Sequence, residues 1–450
     1  MRLNNDTALN IYNEIRTLPI ISPHGHCDPG WFAQDIPFSD PSQLLVVPDH
    51  YVFRMLYSQG IPLEKLGIPP KGDSVDPRSV FRVFANNWHL FLGTPSRTWI
   101  EFVLHETLGI TLALSADTAD AIYDQIDDKL SDPSFRPRAL FDRFNIEVLA
   151  TTDHALDDLA DHKAIAASGW DGRVIPTFRP DALIDPLHPE FRESVAKLAD
   201  QTGKDTKQYV GYLEALASRR EYFREMGATA TDHAIDVLQT GILPDPETVF
   251  TRLFDNPKPE TARAFHGHML IKMAEMSAED GMVMQLHAGS QRNTNDQVFR
   301  DFGPDKGADV PRRTNWVDGL GPLLNRVGNS TNFKMIAFTL DESTYARELA
   351  PMAGHWPCLR IGPPWWFHDS AAGIGRYFDQ VVETAGYWNL AGFNDDTRAF
   401  MSIPARHDLW RSVVSAHLSE QVQKGYFEVS TAHDIAKLLA VDLARESYRL

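Results

Sequence analysis

Two histidines one residue apart, His24-Gly25-His26, close an apolar run near the start of the chain. On an extended strand, residues i and i+2 share a face, so these two imidazoles can converge on one metal ion. Two ordinary polar histidines in a loop would produce the same pattern. Pro23 fits only if the strand's hydrogen-bond ladder has ended before it. The same spacing recurs at His266-Gly267-His268, inside a stretch with helical periodicity. There, i and i+2 lie about 200° apart and cannot share an ion. That second pair reads as surface histidines.

Other reactive side chains also follow apolar runs. His287 ends MQLH and is followed by Arg292, Asn293 and Asn295, while His233 ends an earlier run in the same way. Each histidine is either a buried, satisfied ring or a ligand. Asp396 and Arg398 follow the last apolar segment and share a face if the chain stays extended. Such a carboxylate can ligate a divalent metal or move a proton. The arginine would hold it ionised or grip an anion; a solvated salt bridge is the plainer alternative. His50 and Tyr51, with Asp49 and Arg54 nearby, are either an acid–base pair or one packed and one exposed side chain. Arg179 can clamp a carboxylate with two parallel bonds. Trp365, Trp366 and Phe367 suit either packing or the face of a sugar ring.

Eight short apolar segments can carry these groups: 17–26, 145–153, 172–179, 228–233, 281–288, 333–340, 358–362 and 387–396. Continuous runs such as IEVLA and MVMQL are typical of strands buried on both faces. Helical patterns separate most of them; in 261–276, Ala262, Phe265, Met269, Met273 and Met276 form one stripe, and Gly281 supplies a stop. This alternation predicts an α/β fold, a (β/α)₈ TIM-like barrel with a helical insertion after the first strand. Residues 1–26 would hold an N-terminal helix and the first strand, 27–144 a mostly helical cap over the barrel mouth, and 145–450 the remainder of the barrel. Histidine, aspartate and arginine at the ends of strands 1, 3, 4, 5 and 8 then share the rim where such barrels do chemistry.

Composition narrows the partners. The 61 acidic against 43 basic residues give a net charge of −18, which argues against nucleic acid. The same charge repels an anionic substrate at long range, so an acidic substrate needs local arginines. The two cysteines, Cys27 and Cys358, allow at most one bridge and suit a reducing cytoplasm. No leader-like segment opens the sequence, and no apolar run of about 18 residues suggests a membrane span.

The segments HGHCDP at 24–29, PDHYVFRML at 48–56, TTDHALDDLADHK at 151–163 and PTFRPD at 176–181 have a recognisable order and spacing. So do DHAID at 232–236, MQLHAGSQRNTN at 284–295, GPPWWFHD at 362–369 and FNDDTRAF at 393–400. Over nearly its whole length the chain resembles the uronate isomerases of the amidohydrolase superfamily. The resemblance implies interconversion of D-glucuronate with D-fructuronate and of D-galacturonate with D-tagaturonate. It implies metal ligation by His24, His26 and Asp396, with His287 near the metal, and catalysis by Asp396, Tyr51, His50 and Arg398. Expected substrate contacts are Arg179, Trp365, Trp366, Arg292 and His233. Zinc is the first expectation for the metal, with manganese or another first-row ion next. Self-association into a homo-oligomer stays open. Departures from the family pattern are Gly25 in place of cysteine, Cys27-Asp28 in place of leucine-serine, the run GTPSRTW at 93–99, and Thr397 and Ala399 in place of two serines. A metal-dependent hydrolase or decarboxylase of the same superfamily and a non-catalytic sugar-acid binding protein are the rival readings. A simple hydrolase has no need of Arg179 together with His50-Tyr51.

Overall fold

Prolines and a glycine set where the barrel ladders begin and end. A computed structural model describes residues 3, 5–69, 75–254 and 258–450 of the protein. The first strand, Ile20–Ser22, stops before Pro23 and pairs in parallel with the second, Ile146–Ala150. The second resumes at Asp153–His154. The third comes in two pieces, Val174–Ile175 and Phe178–Arg179, on either side of Pro176 and Thr177. Proline has no N–H to donate, so the ladder lapses there. The fourth to seventh strands, Ala230–Ile235, Val283–Ala288, Met335–Thr339 and Leu359–Ile361, follow side by side in chain order. All pairings among these strands are parallel.

The eighth segment is less regular than the sequence suggests. It touches the seventh strand through a single parallel bridge, Ile361 with Leu390, before Gly392 turns the chain at φ +79°. The barrel closes where His26 N–H donates to the Thr397 carbonyl at 2.9 Å. That bond joins the two chain ends carrying His26 and Asp396.

Between the first and second strands the chain is helical. It runs from Pro29–Gln34 through Pro41–Leu45, His50–Tyr57, Pro77–Asn86, Pro95–Phe102 and Ala119–Leu130 to Pro137–Arg143. Asp28-Pro29, Asp40-Pro41, Asp76-Pro77 and Thr94-Pro95 start four of these helices, each first residue capping with its side chain and each proline preset for the first turn. Phe32, Phe53, Phe81, Phe84 and Phe91 are buried in one apolar cluster among these helices. Burying each such side chain stabilises the fold by roughly 1.5–3 kcal/mol.

The stripe expected at 261–276 lies in the helix Pro259–Asp280, which ends at Gly281 with φ +82°. Its histidine pair is not on the surface: His266 and His268 are 5% and 1% exposed. Neighbours cover this helix on more than one side, which the single apolar stripe did not reveal. His268 Nε2 meets the Tyr209 hydroxyl at 2.7 Å, and its Nδ1 accepts from the Leu243 amide at 3.2 Å. A Cβ on Gly267 would lie 2.2 Å from the Gln239 carbonyl oxygen, a backbone atom that cannot swing aside. Gly267→Ala is therefore expected to lower unfolding stability by about 1–3 kcal/mol in urea titration; an unchanged midpoint would contradict this packing.

Cys27 and Cys358 are both free and buried. Among the described residues, no helix is long and apolar enough to cross a membrane.

Candidate active site

The carboxyl ends of the strands open into a cavity of about 780 Å³, roofed in part by the helix His50–Tyr57. His26, His50, Tyr51, Arg179, His287, Arg292, Trp365, Trp366, Asp396 and Arg398 all line it. His24 sits just beneath and is 1% exposed.

His24, His26 and Asp396 converge. Asp396 Oδ1 is 3.3 Å from His24 Nε2 and 3.0 Å from His26 Nε2. The three form a group with donor atoms close enough to hold one ion. Two tests of fit agree. Ligand atoms bound at about 2.1 Å to one cation are spaced roughly 3.0–3.4 Å apart for bond angles of 90–109°. Asp396 Oδ1 is also buried without an aligned hydrogen bond among the described residues, so its lone pairs remain available. Burial alone would raise the Asp396 carboxyl, but the His24 and His26 imidazoles outweigh it and hold the group well below the usual carboxylate range. Asp396 itself has φ +39°, a left-handed conformation that a non-glycine residue keeps only when its surroundings enforce it. The Arg406 guanidinium on the Asp395 carbonyl and the His26 amide on the Thr397 carbonyl brace it from both sides.

His287 does not join that trio. It groups instead with His24 and Asp232, stacks on His24 with ring centres 4.8 Å apart, and has its Nδ1 2.7 Å from Asp232 Oδ1. Its Nε2 is buried and has no hydrogen-bond partner among the described residues. A carboxylate on one ring nitrogen fixes the tautomer and leaves the other nitrogen as an acceptor. Asp232 is held well below the carboxylate range: burial opposes ionisation, but His287 and Arg179 prevail. Arg179 reaches Asp232 at 3.5 Å and Asp181 at 2.8 Å.

His233 is placed differently from the expectation of a substrate contact. It is fully buried, outside the cavity lining, with Nε2 3.0 Å from Thr231 Oγ1. Strand register explains this. His233 pairs with Leu286 and Ala234 with His287, so a histidine facing inward at 287 requires 233 to face outward. Asp232, which no sequence pattern singled out beside its neighbour, takes the inward place.

Arg398 also departs from expectation. Its guanidinium pairs with Asp305 at 3.1 Å, rather than with Asp396 two residues before it. Arg292 pairs with Asp309 at 2.9 Å and lies 5.1 Å over the Trp366 ring. Trp365 packs edge-on to His287, and Trp366 to His50. Trp366, Asn293 and Asp305 all have positive φ, so with Asp396 four left-handed non-glycine residues border the cavity. His50 is neutral: burial first, then Arg398, brings it down to about 3. Tyr51 stacks on His50 with ring centres 4.7 Å apart. Burial pushes its hydroxyl well up, and Arg406 opposes that shift. The rim thus offers an ionised carboxylate at Asp396 and a protonated phenol at Tyr51, environments that separate a base from an acid.

The sequence pattern of glucuronate isomerase matches residues 1–444. A uronate isomerase of Rhizorhabdus wittichii is 53% identical over 448 residues, covering 98% of this chain and 95% of that protein. One from Phenylobacterium zucineum is 51% identical over 450 residues, covering 99% and 94%. The crystal structure of glucuronate isomerase from Caulobacter crescentus superposes with a TM-score of 0.97 at 48% identity, covering 98% of this chain and 94% of that one. That of Thermotoga maritima uronate isomerase gives 0.93 at 27% identity, covering 99% and 98%. The barrel is thus shared over the full length with isomerases of known structure, and the chain belongs to the uronate isomerase family.

Proposed function

We propose that this chain interconverts aldose and ketose hexuronates, D-glucuronate with D-fructuronate and D-galacturonate with D-tagaturonate, using a divalent cation held by His24, His26 and Asp396. Zinc suits two imidazoles and a carboxylate with open positions, and manganese is the next choice. The cation would polarise a substrate oxygen. The observation that carries the reading is the convergence of His24, His26 and Asp396 beside one cavity that Tyr51, His50, Arg179, Arg292 and Arg398 also line.

Four arginines line the cavity, Arg179, Arg292, Arg398 and Arg406, and each already pairs with a carboxylate, so on a protein of net charge −18 they offer an acidic substrate guanidinium N–H donors rather than unpaired charge. Arg179 would anchor the uronate carboxylate and fix its register, which supplies proximity. On the open-chain aldose, Asp396 would accept the proton from C2 and return it to C1. Tyr51 would donate to the carbonyl oxygen as the enediol forms. As C1 takes up its proton the O2 hydroxyl loses its own, and neutral His50, stacked on Tyr51, would relay that proton back to the phenolate oxygen, restoring Tyr51. C2–H breaks and C1–H forms, so no external oxidant or reductant is needed. Trp365 and Trp366 would offer their faces to the carbon skeleton.

The test is to incubate metal-loaded protein with D-glucuronate and, separately, D-galacturonate, and follow the mixture by NMR. Ketose signals should appear from at least one. No conversion of either, with metal bound, would remove the assignment.

A further inference from the structure

Arg406 lies on the helix Ile403–Gln423, outside every strand-end loop, and is 2% exposed, yet it reaches the cavity lining. Three walls of the site meet on it. Its Nη1 donates to Asp369 Oδ2 at 2.9 Å, on the loop that follows Trp365 and Trp366, and to the Asp395 carbonyl at 3.2 Å, next to Asp396. Its Nε donates to Ser402 Oγ at 3.2 Å. Its guanidinium carbon is 3.7 Å from the Trp99 ring centre and 5.6 Å from that of Tyr51, and those two rings meet edge-to-face. Nη2 has no hydrogen-bond partner among the described residues. A buried ion pair often adds little stability over an apolar replacement. A fixed charge beside a reacting group in a low-dielectric site, by contrast, acts strongly on charge that develops there.

We propose that Arg406 is a positioning residue for Tyr51: locked by Asp369 and by the carbonyl beside Asp396, its guanidinium sets the phenol ring's orientation and field, and ties that ring to the loop of Asp396. As Tyr51 gives up its proton, negative charge grows on its oxygen, and a cation held at this distance favours that change without moving. The inference rests on the reading of Tyr51 as the acid.

The experiment is a double-mutant cycle on the metal-loaded, full-length enzyme. It uses wild type, Tyr51→Phe, Arg406→Gln and the double variant, with Arg406→Lys alongside, at enzyme concentrations high enough to read residual rates. Arg406→Gln should lower kcat by about 10-fold or more with KM changed less than about 3-fold. Arg406→Lys, which keeps the charge, should lose less. In the Tyr51→Phe background, Arg406→Gln should cost less than about 3-fold further. A full, multiplicative loss in that background, or a folded Arg406→Gln with the wild-type kcat, would overturn the proposal. Should Arg406→Gln fail to fold, Arg406→Met, which keeps the apolar stem without the charge, takes its place in the cycle, and the same two results would overturn the proposal. A wild-type kcat for Tyr51→Phe would instead sink the acid role of Tyr51, a separate failure.

Discussion

Asp396→Asn is expected to lower kcat for ketose formation by about 10³-fold, the range in which a positioned acid or base contributes. The amide keeps the shape of the carboxylate but loses its charge and its basicity. It cannot accept the C2 proton, and it is a weaker partner for a cation shared with His24 and His26, whose Nε2 atoms stand 3.3 and 3.0 Å from Oδ1. Solvent exchange of the C2 proton, followed by NMR in deuterated buffer, should fall with turnover. Circular dichroism separates this from unfolding, because Asp396 is braced through its neighbours' backbone atoms rather than through its own side chain. Undiminished C2 exchange in a folded variant would exclude Asp396 as the base.

Asp153→Asn should raise stability at pH 8 by a few kcal/mol, at most about 4, and add little near pH 4. Asp153 opens the last piece of the second strand, Asp153–His154, and is 8% exposed. Burial raises its carboxyl to about 7 from the usual 3.8, although hydrogen bonds from the Thr151 hydroxyl and the Thr177 amide pull the other way. The sign follows from the two states. At pH 8 both are ionised, and the folded state bears the cost of a buried charge. As pH falls through about 7 the folded protein takes up a proton that the unfolded chain refuses until about 3.8, so the cost disappears over that window. Asparagine can accept the same two bonds with its carbonyl oxygen and carries no charge at any pH. Urea titrations at pH 8 and pH 4 read the difference; an equal effect at both would show that the carboxyl is not raised.

The barrel was legible because strands buried on both faces read as unbroken apolar runs, and eight such runs alternated with helical patterns. Their ends were less legible. Pro176 splits the third strand, and Gly392 leaves the eighth attached by one bridge, since an apolar run does not say where backbone groups lose their partners. The trio of His24, His26 and Asp396 could be anticipated as a candidate because each residue sits where a strand ends. The expectation of a substrate contact at His233 was out of phase with the strand. Alternation puts neighbours on opposite faces, and register against His287 would have selected Asp232. Arg398's partner, Asp305, comes from a loop 93 residues away in sequence, and Arg406 from a helix. No strand-end rule points to either. The one local hint for Arg406 was an arginine flanked by apolar residues at Ile403, Ala405 and Leu409 in a helix that buries most of its surface.

If the beginning and the end of the chain hold one cation between them, anomalous diffraction from zinc- or manganese-soaked crystals will show it most directly. The expected result is a single strong peak bonded to His24 Nε2, His26 Nε2 and Asp396 Oδ1 at about 2.0–2.2 Å. Cation density elsewhere in the cavity, with those three atoms left uncoordinated, would contradict it.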